Sequence, residues 1–245
     1  MKQRLTWVAL AAALFCGAAV AQVPAPTATQ FQEAKAVEPV AQQTIYFDEQ
    51  WAPHAKPVTG GFYRKVTGKS AEGYFVVQDF YQDSGKKQIA PAQVMTESGL
   101  QSGDNEGIIH GPVVWFDEDG VKTSAALYDK GEFKQSETYF ANGKVSTQMT
   151  TLPGGADGEK VLQTSTWDEN GHQEVEYRHS TRDEQDGTLK AWWPNGKKKL
   201  EAVLKGDDPE KWTVQAWDEK GELQPEILSR LMLFVSFQLL DAKTN

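Results

Sequence analysis

Residues 111–120 read GPVVWFDEDG and residues 192–197 read WWPNGK. Both run from an aromatic pair, through a short acidic or Asn-containing stretch, to a glycine. The pattern recurs along the chain: an aromatic residue stands four places before a glycine at Tyr81 and Gly85, Phe116 and Gly120, Tyr139 and Gly143, Trp167 and Gly171, Trp192 and Gly196, and Trp217 and Gly221. Successive glycines are 35, 23, 28, 25 and 25 positions apart, a period in the range of small repeat proteins. Asp119-Gly120, Asn142-Gly143, Asn170-Gly171 and Asn195-Gly196 accept positive φ, and such pairs favour type I′ hairpin turns. The flanks alternate as strands should: Val145, Thr147 and Met149 fall opposite Ser146, Gln148 and Thr150, while Val175 and Tyr177 fall opposite Glu174, Glu176 and Arg178. The repeating unit is therefore a strand, a tight turn and a second strand, and the expected fold class is all-β.

The chain around this array has 245 residues, 39% apolar and 24% charged, with a mean hydropathy of -0.55. That is the composition of one or two soluble domains rather than a disordered or integral membrane protein. Lys and Arg number 25 against 34 Asp and Glu, a net charge of -9. This balance works against a large sequence-independent attraction to nucleic acid or anionic lipid and favours a basic or amphipathic partner.

The two ends differ from the middle. Lys2 and Arg4 precede an apolar stretch from Leu5 to Val20, and Ala19-Val20-Ala21 supplies the small residues of a cleavage site before Gln22. Residues 1–21 thus read as a signal peptide, and the expected location is periplasmic or secreted. Cys16 is the only cysteine, so a chain starting at Gln22 has no disulfide, thiolate nucleophile or Cys-ligated metal. Cleavage removes Lys2 and Arg4 and leaves 23 basic against 34 acidic residues, a net charge of -11.

Residues 22–43 are rich in Pro, Ala and Gln and read as a spacer. Residues 44–224 form the expected repeat domain, and residues 225–245 form an apolar end that acts as a cap or as a docking segment. Its core, Ile227 to Leu240, is too short to span a membrane. Its polar residues Ser229, Arg230, Ser236 and Gln238 do not gather on one side at helical spacing. Repeat arrays need distinct terminal units, which favours the cap.

In the segments 111–120, 139–144 (YFANGK) and 192–197, the sequence resembles the bacterial MORN-variant repeat family, over about residues 73–223. The resemblance implies an extended antiparallel β-meander of hairpin repeats without catalytic residues. Some bacterial members are labelled antitoxins, and eukaryotic relatives are associated with membranes and scaffolding. Two stretches depart from the pattern: residues 91–107 hold no repeat, and residues 207–211 are a polar insertion.

Signals for chemistry are sparse. Residues 66–70, VTGKS, end like a phosphate-binding loop, but Tyr63 stands where the first glycine is required. On a regular strand His172, Glu174 and Glu176 would share a face, with His179 on the other, but a solvated acidic strand is the plainer reading of those residues. The acidic pairs Asp117 with Glu118, Asp168 with Glu169 and Asp218 with Glu219 occupy the same slot beside the turn. Repetition in that slot argues for structure, since one active site needs only one pair. Each adjacent aromatic pair loads both faces of its sheet. One face forms an inner ladder; the other is covered by curvature or by the N-terminal segment, or is a binding face.

The expectation is a non-catalytic, exported protein-interaction module that needs no cofactor and no metal and neutralises a toxin or an envelope enzyme. Its expected partner-binding residues are Trp115, Tyr139, Trp167, Trp192 and Trp193, rimmed by Asp117, Glu118, Asp168 and Glu169. The alternatives are an envelope scaffold associated with lipid or peptidoglycan, without integral insertion after cleavage, and an uncharacterised envelope enzyme. The Ala19-Val20-Ala21 site predicts a mature N-terminus at Gln22. Intact-mass measurement of protein purified from its host should show the loss of residues 1–21; their retention would refute cleavage.

Overall fold

A computed structural model describes residues 26–103, 108–154, 158–206, 208 and 211–224. The expected signal peptide and apolar C-terminal segment lie outside the described residues. Strands β1 (Gln43–Phe47), β2 (Pro53–His54), β3 (Phe62–Lys69), β4 (Phe75–Tyr81) and β5 (Ala92–Val94) are followed by a 3-10 turn, Ser98–Gln101. Then come β6 (Ile109–Phe116), β7 (Lys122–Asp129), β8 (Glu132–Tyr139), β9 (Val145–Pro153) and β10 (Lys160–Trp167). The array ends with β11 (Gln173–Ser180), β12 (Gly187–Trp192), β13 (Lys198–Leu204) and β14 (Thr213–Ala216). All fourteen belong to one open antiparallel sheet in which β3 to β14 follow chain order, and β1 lies between β3 and β2. The fold is an all-β meander, and each described strand packs chiefly against its neighbours in the sheet.

The glycine turns differ from the expected type. In the β6–β7 hairpin the Gly120 amide donates to the Asp117 carbonyl at 3.0 Å and the Asp117 amide donates to the Val121 carbonyl at 3.0 Å. The same pair of bonds closes the turns at Phe140–Lys144, Asp168–His172, Trp193–Lys197 and Asp218–Glu222. Only the glycine is left-handed: among the described residues Trp51 and Lys130 are the only non-glycines with positive φ. Each is thus a type I turn followed by a left-handed glycine, a longer loop than the two-residue type I′ hairpin, which needs positive φ at both central residues. Asn142 and Asn195 occupy the position before the glycine, where their Oδ1 atoms accept the amides of Lys144 and Lys197. Two consecutive positive φ values, the type I′ requirement, occur at Lys130 and Gly131, between β7 and β8.

Beside four of these turns the register shifts, at Trp115/Phe116, Thr138/Tyr139, Thr166/Trp167 and Ala191/Trp192. An extra residue on the returning strand makes a bulge, which increases local twist and resets which side chains share a face. The bulges separate two faces, called here the core face and the strap face.

On the core face Phe47, Val66, Val77, Val94, Ile109, Val113 and Ala126 form one buried cluster, with Trp51, Phe62 and Trp115 packed against it. Segments between strands cover this half of the sheet. Trp51 stacks on Phe62 with ring centres 4.5 Å apart and planes 7° from parallel. Leu100, 2% exposed, inserts from the 3-10 turn. Arg64 holds that turn down: its Nε and a terminal nitrogen donate to the two carboxylate oxygens of Asp79, both at 2.8 Å. Its other terminal nitrogen donates to the carbonyls of Leu100 at 3.2 Å and Ser102 at 2.9 Å. Arg64 is 4% and Asp79 2% exposed, so each charge depends on the other. Of the phosphate-loop-like stretch 66–70, residues 66–69 lie in β3, with a bulge at Thr67, and Lys69 also pairs with Glu38.

Three substitutions test this construction. Gly143 and Gly196 have φ of 78° and 82°, so Gly143→Val and Gly196→Val should each cost about 1 kcal/mol or more through left-handed strain. Asp79→Ala, which strands a buried guanidinium, should cost about 3–5 kcal/mol. Urea midpoints measure all three; unchanged midpoints would refute the respective assignment.

Candidate functional site

The six aromatic–glycine units place their turns along one edge of the sheet, because each begins where an even-numbered strand of the meander ends, and the loops after the odd-numbered strands lie at the opposite edge. Neighbouring turns are two strands apart, about 9–10 Å. In three of them an aspartate is consumed by the turn itself. Asp117 Oδ1 accepts the amides of Asp119 at 3.0 Å and Val121 at 2.8 Å. Asp168 Oδ1 accepts those of Asn170 and His172, and Asp218 Oδ1 those of Lys220 and Glu222. These carboxylates mimic a backbone acceptor and stiffen the loop. The hydrogen bond from the His172 ring, 2.9 Å to the other oxygen, is the main reason the Asp168 carboxyl is held down at about 2. The adjoining Glu118, Glu169 and Glu219 are exposed.

The turns are also tied to one another. Lys86 donates its ammonium to the Glu118 carbonyl at 2.5 Å, Lys144 to that of Glu169 at 2.9 Å, and Lys197 to that of Lys220 at 2.7 Å. Each of these lysines directly follows the turn glycine and reaches the next turn along the edge. Asn195 adds a bond to the Glu219 carbonyl at 2.8 Å, and the Trp193 indole donates to the Trp217 carbonyl at 2.9 Å. The recurrent Gly-Lys step is visible in the sequence, but its role depends on which turns become neighbours. The edge therefore presents exposed glutamates at regular spacing with lysine ammonium groups laid between them.

Just inside this edge, on the strap face, register places Phe116, Tyr139, Trp167 and Trp192 in one row, one aromatic per hairpin, with Trp217 continuing it beyond β14. Lys87 lies 3.8 Å from the Phe116 ring centre, Lys122 4.0 Å from Tyr139 and Lys198 5.3 Å from Trp217. These are cation–π contacts that also shield the rings. Of the five aromatics expected to bind a partner, Tyr139, Trp167 and Trp192 lie in this row. Trp167 is only 4% exposed and serves as packing. Trp115 points to the core face and joins its buried cluster. Trp193 enters the turn, where Lys199 sits 4.5 Å from its ring centre. The five do not form one open patch, because neighbours on a strand face opposite ways and both faces of β6 are covered.

The cover on the strap face is the N-terminal segment. Composition reads residues 22–43 as a spacer, yet residues 29–38 lie across the sheet. Phe31 packs on the cluster of Ala90, Val114 and Ala125 beside Phe116 and Tyr139. The Ala34 amide donates to the Pro91 carbonyl at 2.9 Å, and Glu38 exchanges backbone bonds with Lys69. The segment is anchored at Glu137, a carboxylate 1% exposed. Glu137 accepts the Thr29 amide at 3.0 Å, the Thr29 hydroxyl at 2.5 Å, the Tyr139 hydroxyl at 2.8 Å and the Gln148 amide nitrogen at 3.3 Å. Burial pushes this carboxyl up, but the bonds from Thr29, Tyr139 and Gln148 outweigh burial and hold it below its ordinary value. Burial and the bond to Glu137 in turn push the Tyr139 phenol upward. Nothing in the composition marks this anchor, since one threonine and one glutamate 108 positions apart carry it. A cleft of about 530 Å³ remains between strap and sheet, lined by Phe31, Glu33, Lys35, Gln93, Leu127 and Gln135.

The carboxylates and imidazoles weighed as a metal site do not converge. The bulge at Glu174 breaks the alternation that would align His172, Glu174 and Glu176. His172 bonds Asp168, Glu176 lies 3.3 Å from Arg178, and His179 stacks on Tyr177 on the core face. Among the described residues no three His, Cys, Asp or Glu side chains are grouped to hold a metal ion. No helix among them is long and apolar enough to cross a membrane.

No family model matches the chain, and no curated protein is significantly similar to it.

The Glu137 anchor has a pH dependence of defined sign. Its folded-state pKa is lowered, so the ionised carboxylate stabilises the docked strap above the ordinary glutamate value of 4.5. That contribution is lost as pH falls through the folded value. Glu137→Gln should weaken strap docking at pH 7 and flatten its acid dependence as pH falls below 4.5. Hydrogen exchange at the Thr29 and Ala34 amides reads this directly; the same protection and the same pH profile in both proteins would refute the anchor.

Proposed function

We propose that the protein is exported and works in the periplasm or outside the cell as a non-catalytic module that binds another protein. The observation that carries this reading is the turn edge, where glycine turns with an adjacent aromatic recur every two strands, lysines tie them in pairs, and the exposed Glu118, Glu169 and Glu219 stand at every second turn. A repeated rigid edge grips a partner at several points at once, and the preorganised turns lower the ordering cost of each contact. The net charge of -11 for a chain starting at Gln22 favours a basic or amphipathic partner, with the glutamates accelerating encounter. The resemblance to MORN-variant repeats, some labelled antitoxins, supports neutralisation of a toxin or an envelope enzyme as the role of such binding.

The exposed rim glutamates are separable from the turn aspartates, which makes the reading testable without unfolding the edge. The chain starting at Gln22 is used to capture its partner from the host envelope and culture fluid, and association is then measured with the purified partner. Glu118→Lys, Glu169→Lys and Glu219→Lys combined should slow association about tenfold or more at low salt while leaving the thermal midpoint in place. An unchanged association rate would overturn the edge as the binding surface.

A further inference from the structure

Where the core face reaches the turn edge, a cleft of about 320 Å³ opens between the end of β4 and the β6–β7 turn. Tyr81, Gln88, Trp115, Asp117, Thr123 and Ser124 line it. Trp115 stands opposite Ile89 on one side and Ser124 on the other; it packs against the buried cluster and is itself half-buried. The Tyr81 ring is fixed by its hydroxyl, which donates to the Phe116 carbonyl at 2.8 Å. Gln88 spends its backbone on the sheet, its amide donating to the Asp79 carbonyl at 2.8 Å and its carbonyl accepting the Phe116 amide at 2.9 Å. Its side-chain oxygen Oε1 is buried and has no hydrogen-bond partner. Leaving a buried acceptor unmatched costs stability, which a ligand with a donor would recover.

The cleft belongs to this one unit of the array. The place of Trp115, directly before the motif aromatic, is taken by Thr138, Thr166, Ala191 and Ala216 in the later units. The turn aspartate differs as well. The second carboxylate oxygen of Asp168 meets the His172 ring at 2.9 Å, and that of Asp218 accepts the Gln224 side-chain amide at 3.3 Å. Around Asp117 the corresponding positions hold Val121 and Thr123, and its Oδ2 has no partner among the described residues. Charge beside the cleft is balanced. Against Asp117, Glu118 and Asp119 of the turn stand Lys86 on the Glu118 carbonyl, Lys87 on the Phe116 ring and Lys122 on the Tyr139 ring. The lining thus combines aromatic rings, two unmatched acceptors, a carboxamide nitrogen and two hydroxyls that both donate and accept. A cation only donates and would leave that nitrogen and those hydroxyl protons unmatched, whereas a sugar hydroxyl does both. Small-molecule sites run from about 300 to 1,000 Å³, so this one has room for a single ring. We propose that the cleft binds one pyranose ring of a neutral glycan, with the apolar face of the sugar on Trp115 and its hydroxyls on Gln88, Asp117, Thr123 and Ser124. The inference stands apart from the partner-binding reading, which rests on the exposed glutamates of the edge.

The test titrates the isotope-labelled chain starting at Gln22 with cellotetraose, maltotetraose and tetra-N-acetylchitotetraose, which differ in linkage and in the group on the second carbon. At least one of them should move the Trp115 indole N–H resonance saturably at millimolar concentration, while the indoles of Trp51 and Trp193 stay in place. Gln88→Leu removes an unmatched oxygen, so it should keep or raise the urea midpoint and yet weaken that sugar about tenfold or more. Ser124→Ala, which deletes one hydroxyl beside the same ring, should weaken it too and supplies the comparison should Gln88→Leu not fold. No saturable shift with any of the three sugars, or undiminished affinity in the folded variants, would overturn the proposal. Methylguanidinium is the control: if it moves the Trp115 resonance and the sugars do not, the cleft takes an arginine side chain of a protein and the proposal falls.

Discussion

Everything in this sheet depends on register, and register is set at the turns. In a meander a slip of one residue moves every side chain of a strand to the opposite face. The left-handed glycine, the type I turn before it and the aspartate or asparagine that accepts its amides leave each hairpin one way to pair. Asp117, Asp168 and Asp218 perform this task at three turns, and Asn142 and Asn195 at two more. The pleat faces the motif aromatic to the strap side and its predecessor to the core, and the bulge beside the turn resets the faces of the returning strand. Lys86, Lys144 and Lys197, each directly after a turn glycine, tie neighbouring turns together in pairs, so the edge is held within the turns and within each of three pairs.

Fixed faces bring a second problem, because a sheet one strand thick cannot bury either of them alone. The first half solves it with segments that depart from the repeat. Arg64, paired with buried Asp79, draws residues 99–102 over the core face. Glu137 receives Thr29 and so draws the N-terminal segment over the other face. In both cases a buried charge that needs several hydrogen-bond partners recruits a stretch of chain poor in apolar residues. Polar contacts, rather than hydrophobic burial alone, thus decide which irregular segment closes which face. The irregular stretch between β5 and β6, which interrupts the repeat pattern, is part of this covering.

The same division of labour bears on function. The acidic pairs that look like candidate catalytic carboxylates are split by the turn: the aspartate is occupied by backbone amides, and the glutamate is left in solvent. The aromatic pairs are split by the pleat, and the members nearest the edge are shielded by Lys87, Lys122 and Lys198. What remains accessible in regular array is the edge of turns, rigid because its carboxylates, amides and ammonium groups already satisfy one another.

The sequence by itself determined the all-β class, the hairpin repeat and the positions of most turns, because alternation and left-handed glycines are local requirements that a short window expresses. Even there, the turn type depended on one residue more or less in the loop, and the dipeptides Asn142-Gly143 and Asn195-Gly196 suit both forms. The candidate residues were legible as repeated positions but not as a surface. Trp115, Trp167 and Trp193 look alike in sequence, and only the bulges and the covering segments separate a core residue, a buried row residue and a turn residue. The tertiary structure alone decided the pairing of Thr29 with Glu137, of Arg64 with Asp79, and of each lysine with the next turn. Those partners are brought together by the stacking of strands, and the hydrogen-bond demand of a buried charge has no period that a sequence can display.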